Sequence, residues 1–140
     1  MKETFVLDCS VAAKWVLPEP DGAPALRLFD RYVSGEISLI APDLLLAEFA
    51  SLLAKHSRRK QISTDQARKA FHLMTRCAPQ LFDMRPRLFR ALDLSLQHQM
   101  SLWDCVYLDL ALEHNCSFLT ADRRLLRSGA GRHPSVQLVH

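Results

Sequence analysis

Long hydrophobic segments are missing from this sequence of 140 residues. No stretch approaches the roughly 20 apolar residues that a membrane-spanning helix needs, and the apolar run within the first eight residues is far too short for a signal peptide. We therefore expect a non-exported protein without a membrane anchor, located in the cytoplasm.

Paired metal-binding and redox motifs are also missing. The sequence contains no Cys-x-x-Cys and no His-x-x-x-His pair, which makes zinc a weak expectation and suits reduced thiols in a cytosol. The four cysteines are Cys9, Cys77, Cys105 and Cys116. The absence of a Gly-x-x-x-x-Gly-Lys loop and of a strand-linked Gly-x-Gly-x-x-Gly disfavours a nucleotide-binding fold.

The chain has the length and composition of one compact domain over residues 1–140, with 49% hydrophobic residues. Strand patterns cover 3–7, 38–41, 80–84, 117–120 and 136–139. Helical patterns cover 11–16, 21–32, 44–59, 63–76, 86–98, 101–112 and 122–126, with Ser10 as the expected cap of the first helix and a glycine loop at 129–131. Strands separated by helices predict the α/β class, a three-layer α/β/α domain with a central parallel sheet of four or five strands.

The helix predicted at 101–112 is apolar on nearly every side, which is typical of a core helix, yet it carries Asp104 in its first turn. The simplest interpretation is helix capping, because Ser101 and Asp104 form a Ser-x-x-Asp pattern. An ionised carboxylate on a buried helix otherwise needs a cation or several hydrogen-bond donors.

Three further acids occupy comparable places. Asp8 follows the first strand and Asp122 follows the strand that ends at Thr120, so both are expected at the same edge of the sheet, although turn or cap roles suit them equally well. Glu48 is surrounded by apolar residues on its helix, and an ion pair with an arginine explains it about as well as a functional role. Four carboxylates without histidine partners match the ligands that Mg²⁺ or Mn²⁺ prefers.

The charge balance points toward a polyanionic partner. The chain has 18 basic and 15 acidic residues, so 11 acids remain for the rest of the surface if four gather at one site. A basic surface around an acidic pocket is typical of proteins that bind nucleic acid.

Four segments, taken in order, resemble PIN-domain ribonucleases, and most closely the VapC toxins of bacterial toxin–antitoxin pairs. These segments are Val6-Leu7-Asp8-Cys9-Ser10, Ala41-Pro42-Asp43-Leu44-Leu45-Leu46-Ala47-Glu48, Trp103-Asp104-Cys105-Val106-Tyr107-Leu108-Asp109-Leu110-Ala111 and Phe118-Leu119-Thr120-Ala121-Asp122-Arg123-Arg124-Leu125. The resemblance implies an acidic quartet of Asp8, Glu48, Asp104 and Asp122. It also implies that Asp8 and Asp104 are the principal metal ligands and that Ser10 and Thr120 lie near the site.

Two residues depart from the family pattern. Asp109 stands where relatives usually have a small apolar residue, and its position about 140° around the helix from Asp104 makes it peripheral to the site. Trp103 replaces a more usual tyrosine, which removes a hydroxyl but keeps an aromatic ring.

The resemblance implies an endoribonuclease that uses Mg²⁺, or Mn²⁺, to hydrolyse RNA phosphodiester bonds, as a toxin that inhibits translation. The candidate RNA-binding residues are Lys55, Arg58, Arg59, Arg85 and Arg87, with Lys60 and Arg90 beside them. The implied partners are an RNA substrate, a VapB-like antitoxin whose C-terminal segment occupies an apolar groove, and a second copy in a homodimer or a toxin–antitoxin hetero-oligomer.

Two other functions fit the sequence. A catalytically silent PIN module that binds protein or RNA would hold no divalent ion. A phosphatase or phosphate-sensing domain also places an aspartate after its first strand, but it needs a second acid beside Asp8, where Cys9 and Ser10 stand instead.

Overall fold

The computed structural model describes residues 2–17, 19–127 and 133–139, and within them five strands form one parallel sheet. The strands are β1 Glu3–Leu7, β2 Ile37–Pro42, β3 Gln80–Phe82, β4 Ser117–Thr120 and β5 Val136–Leu138, in the spatial order β3-β2-β1-β4-β5. This confirms the predicted α/β class and parallel sheet. The glycine loop expected at 129–131 lies outside the described residues.

Strand β1 occupies the centre of the sheet. Its Val6 lies beside Ile40 of β2 on one side and Phe118 of β4 on the other. The chain fills the sheet outward from β1 through β2 and β3, then crosses back to β4 and continues to β5. The order therefore reverses between β1 and β4, and parallel sheets form binding sites at the carboxyl end of such a reversal.

The helices are α1 Cys9–Val16, α2 Ala23–Val33, α3 Leu44–Arg58, α4 Thr64–Cys77, α5 Leu88–His98, α6 Leu102–Glu113 and α7 Arg123–Arg127. Most bounds agree with the predicted ones within two residues. The capping box of α4 is present, with the Ser63 hydroxyl accepting from the amide of Gln66. Helix α5 is preceded by a 3₁₀ turn at Arg85–Arg87, so the α-helix itself begins after the predicted Pro86.

The beginning of α1 differs from the prediction. The helix starts at Cys9, and Asp8 rather than Ser10 occupies the N-cap position, without a side-chain capping bond. Ser10 is inside the first turn, where its hydroxyl donates to the carboxylate of Asp8. The expectation that Ser10 caps this helix was wrong, because its hydroxyl instead donates to Asp8 and accepts from the amide of Ala121.

Helix α6 forms part of the core, as predicted. Every residue from Cys105 to Ala111 is buried, and the ring of Tyr107 stacks on Phe118 of β4 with centroids 5.3 Å apart. The two ends of α6 are less buried than its middle, since Trp103 and Leu112 are exposed. Despite the apolar character of α6, no helix in the described part of the chain is long and apolar enough to cross a membrane.

Candidate active site

Asp8 is held at the carboxyl end of β1 by contacts with β4. Its amide donates to the carbonyl of Leu119 at 3.0 Å, and its Oδ2 accepts hydrogen bonds from Ser10 at 2.6 Å and Thr120 at 2.8 Å. Burial raises the pKa of Asp8 to about 6, although the two hydroxyls oppose the rise; repulsion from Asp104 adds to it.

The Ser10 and Thr120 hydroxyls connect Asp8 to the segment after β4. Ser10 Oγ accepts from the amide of Ala121 at 2.9 Å, and Thr120 Oγ1 accepts from the amide of Asp122 at 3.0 Å. Each hydroxyl has a single proton and directs it to Asp8, so both are fixed as donors to that carboxylate. The two polar residues predicted near the site therefore orient Asp8 directly.

Glu48 reaches the same region from the second turn of α3. Its Oε1 accepts a 2.6 Å hydrogen bond from the hydroxyl of Tyr107, and none of its contacts in the described residues is an ion pair. Burial raises the pKa of Glu48 to about 7, and the nearby charges of Asp8 and Asp104 contribute to the rise. The arginine partner considered from the sequence is thus replaced by a tyrosine.

Tyr107 was missed as a site residue by the sequence reasoning. A tyrosine inside an apolar, buried helix was the available signal, because a buried phenol hydroxyl usually requires a hydrogen-bond partner. The sequence offered no way to identify Glu48 as that partner.

Asp104 lies in the first turn of α6. Ser101 caps this helix, as the Ser-x-x-Asp pattern predicts. The Ser101 hydroxyl accepts from the amide of Asp104 at 3.1 Å and donates to its Oδ2 at 2.9 Å. Burial raises the pKa of Asp104, and repulsion from Asp122 raises it further. Capping and proximity to the other acids are therefore combined in one residue.

Asp122 is partly exposed and is accompanied by a cation. Its Oδ1 accepts from the amide of Arg124 at 2.9 Å and lies 3.8 Å from the Nε of that arginine. Arg124 and its neighbour Arg123 are exposed on α7 beside the site. Neither was selected from the sequence as an RNA contact.

The four carboxylates influence one another electrostatically. Asp104 raises the pKa of Asp8, both raise that of Glu48, and Asp122 raises that of Asp104. Over residues 2–17, 19–127 and 133–139, however, no three acid, histidine or cysteine side chains stand close enough together to enclose a metal ion as they are oriented. The all-oxygen donor set fits Mg²⁺ or Mn²⁺ chemically.

Cys9 adjoins these acids but has the properties of an inert thiol. Burial raises its pKa far above the ordinary range, and the charges of Glu48 and Asp8 raise it further. All four cysteines are free. A neutral, buried thiol is a poor nucleophile, so we assign it no chemistry.

The basic residues predicted to contact RNA have different environments. Lys55, Arg58 and Arg59 lie exposed at the end of α3, and Arg85 is exposed but paired with Asp83 at 2.7 Å. Arg87 is only 6% exposed. The expectation that Arg87 contacts RNA was wrong, because its side chain is turned into the protein.

Arg87 instead joins the start of α5 to α6. Its Nη1 lies 3.2 Å from Oδ2 of Asp109 and also contacts Glu113, while Arg90 binds Asp109 at 2.9 Å. Asp109 is buried and far around α6 from the acids, as its position predicts, and its partners give it a structural role.

Comparisons with known proteins agree with this architecture. The model of the PIN domain family matches residues 5–130. Ribonuclease VapC1 of Mycobacterium tuberculosis is 30% identical over 118 residues, which cover 84% of this chain and 88% of that protein.

Two solved structures share the fold. The Pyrobaculum aerophilum protein PAE2754 aligns with a TM-score of 0.72 at 17% identity, over 99% of this chain and 92% of its own. The second structure is VapBC2 from Rickettsia felis, bound to a DNA fragment from its own promoter. One of its chains aligns with a TM-score of 0.66 at 13% identity, over 96% of both chains. The match to the family model and the 30% identity to ribonuclease VapC1 show that the chain described here belongs to the PIN-domain family, in its VapC branch.

Proposed function

We propose that the protein is an Mg²⁺- or Mn²⁺-dependent endoribonuclease and the toxin of a toxin–antitoxin pair that inhibits translation by cutting RNA. The observation that carries this proposal is the electrostatic coupling of Asp8, Glu48 and Asp104, which come from three separate segments and have raised pKa values and no ion-pair partner in the described residues. Placing mutually repelling carboxylates together is costly for folding, and a divalent cation offsets that cost. The ribonuclease name of the Mycobacterium tuberculosis relative supports the same reaction.

Each acid has a proposed task. Asp8 and Asp104 hold the metal ion, which when bound lowers the pKa of a water molecule and offsets negative charge on the phosphate. Ser10 and Thr120 keep Asp8 oriented through its Oδ2. Asp122 completes the acidic quartet at its exposed side.

Glu48 is suited to receive the proton of the attacking water. Tyr107 occupies Oε1, and within the described residues Oε2 has no hydrogen bond. A pKa of about 7 allows this carboxylate to accept a proton at neutral pH. The exposed Lys55, Arg58, Arg59 and Arg85 are the remaining candidates for contacts with the RNA backbone.

A VapB-like antitoxin is the proposed protein partner. Helices α3 and α4 enclose an open groove of about 490 Å³, whose lining includes Ala50, Leu53, Ala54, Ala67 and Phe71. Ala50 lies two positions after Glu48, about 200° around α3, so a segment bound in this groove has to continue around the helix to reach the acids. A basic side chain on that segment would pair with the uncompensated carboxylates.

A second copy of the chain is the proposed partner of α5. Phe89, Leu92 and Leu96 are 80%, 50% and 72% exposed and form an apolar stripe along one side of α5. Two such helices packed antiparallel around a twofold axis place Phe89 of each copy near Leu96 of the other, which covers both ends of the stripe.

The decisive experiment is cleavage of mixed tRNA and rRNA by antitoxin-free protein, with Mg²⁺ or Mn²⁺ and with chelator. Asp8→Asn and Asp104→Asn should each abolish metal-dependent cutting, whereas Asp30→Asn, an exposed acid on α2, should leave it unchanged. Equal cutting by all samples would indicate contamination and contradict the mechanism.

A silent binding module is the second candidate, and the incomplete convergence of the acids favours it. Titration calorimetry with Mn²⁺ separates the two. The nuclease proposal expects binding that is lost in Asp8→Asn, whereas a silent module binds no ion and cuts no RNA.

A further inference from the structure

The two tryptophans of the chain have opposite environments. Trp15 packs between Phe29 and Tyr32, with ring centroids 4.9 and 5.9 Å away, and its indole donates to the carbonyl of Ala25. Trp103 is 49% exposed, and within the described residues it has neither a ring partner nor a hydrogen bond. The indole of Trp103 therefore presents free ring surface to solvent in the first turn of α6, next to Asp104 in the sequence.

Helix geometry places Trp103 at the edge of the acidic site. It lies four residues before Tyr107, on the same side of α6 and one turn closer to the helix N-terminus. The Tyr107 hydroxyl contacts Glu48, and Asp104 follows Trp103 directly. The indole therefore lies one helical turn from Tyr107, which contacts Glu48, on the side of the helix N-terminus.

Trp103 does not belong to the apolar stripe of α5. Asp109 marks the side of α6 that faces α5, because it binds Arg87 and Arg90. Six positions along a helix turn Trp103 about 120° away from Asp109. A partner that covers the α5 stripe thus leaves this indole available to the site.

We propose that Trp103 is a stacking platform for one unpaired base of the RNA, next to the phosphate that is cut. This inference rests on the proposed nuclease function and deepens it, since it names a side chain that binds the base next to the phosphate that is cut. Bases in a duplex are already stacked on their neighbours, whereas an unpaired base offers a free face to an aromatic side chain. Arg123 and Arg124, exposed near Asp122, provide positive charge for the flanking phosphates.

Fluorescence of the full-length protein tests this directly. The probe is a short single-stranded oligoribonucleotide with Mg²⁺, added to a Glu48→Gln background in which cleavage should not consume it. Stacking should quench Trp103 emission. The Trp103→Leu variant, which retains Trp15, should show no quenching and should bind about 10-fold more weakly, while Trp103→Phe should keep most of the affinity.

Three further measurements distinguish base stacking on Trp103 from other modes of RNA binding. A duplex of the same sequence, and an oligonucleotide with an abasic residue in place of the stacked base, should both fail to quench. In the cleaving protein, Trp103→Leu should raise KM with little change in kcat. Circular dichroism should show that the variants remain folded, as expected for an exposed position.

The result separates this inference from the nuclease proposal. Quenching without any cleavage by the parent protein supports the platform and contradicts the nuclease. Cleavage with equal KM in Trp103→Leu and no quenching overturns the platform and leaves the nuclease intact. Quenching by a VapB-like peptide but by no RNA assigns the indole to a protein partner and also overturns the inference.

Discussion

Tyr107 donates a 2.6 Å hydrogen bond to Oε1 of Glu48, although the two residues are 59 positions apart. Tyr107 is fully buried, and its ring is held by stacking on Phe118. This contact couples the core directly to the acidic site, since the packing that holds the phenol also restricts one oxygen of the carboxylate.

Removing this donor should weaken the site more than the fold. Tyr107→Phe keeps the ring on Phe118 but leaves Glu48 without its hydrogen bond, so we expect about 10-fold lower metal-dependent cleavage and weaker Mn²⁺ binding. The free energy of unfolding should fall by about 1 kcal/mol. Cleavage assays, calorimetry and urea denaturation measure the three quantities.

Tyr32→Phe is the matched control. It removes a 3.2 Å hydrogen bond from the Tyr32 hydroxyl to the carbonyl of Ala78, away from the acids. Its cleavage rate and Mn²⁺ affinity should match those of the parent. Equal losses in both variants would show that Tyr107 acts only through general stability.

The metal-free protein should lose stability as the pH rises from about 4 to 7. The pKa of Asp8 is raised to about 6 and that of Glu48 to about 7, so the folded state favours their protonated forms. Their contribution to stability is fully present below the unfolded pKa values and is lost as the pH rises through the folded ones. Urea denaturation in chelator at pH 4.5 and pH 7.5, chosen to lie on either side of about 6, measures the change.

Asp8→Asn should reduce this pH dependence, because the amide carries no charge at either pH. Mg²⁺ should restore stability to the parent at the higher pH by binding the folded state, and should do so less in the variant. An unchanged pH profile in Asp8→Asn would rule out Asp8 as a source of the effect.

Arg87 should matter for folding rather than for RNA. Arg87→Ala leaves buried Asp109 with only Arg90, and we expect the free energy of unfolding to fall by about 3 kcal/mol. RNA affinity of the folded protein should stay the same. Arg85→Ala, which breaks only an exposed pair with Asp83, should leave stability nearly unchanged. Loss of RNA binding in folded Arg87→Ala would contradict the structural role.

A charge in the middle of the α5 stripe should dissociate the proposed dimer. Leu92→Asp places two like charges near the twofold axis, where the antiparallel helices are closest. Analytical ultracentrifugation should show a dimer for the parent and a monomer for the variant. Leu73→Asp, at an exposed position on α4, is the control and should remain dimeric.

Local patterns were sufficient to predict most of the fold. Strand β4 was predicted at its observed bounds, and the Ser63–Gln66 box gave the start of α4, because side chains within a few residues decide both. The order of strands in the sheet was not predictable from these patterns, since it depends on contacts between distant segments.

The site was harder to predict because its contacts are long-range. Asp8 and Thr120 are 112 positions apart, and the Ser10 hydroxyl leaves its expected capping role to contact both Asp8 and Ala121. Arg87 failed as an RNA contact for the same reason, since its partners Asp109 and Glu113 lie more than 20 positions away on α6. The roles of the four acids themselves stay predictions until cleavage and metal binding are measured.

The position of β1 between β2 and β4 has a consequence for biosynthesis. The first metal-ligand candidate, Asp8, is synthesised 112 positions before its Thr120 partner, and Asp122 follows Thr120. A nascent chain on the ribosome therefore cannot assemble the site before β4 has emerged and entered the sheet. If this protein cuts RNA, the ribosome that synthesises it is protected from it until β4 has entered the sheet.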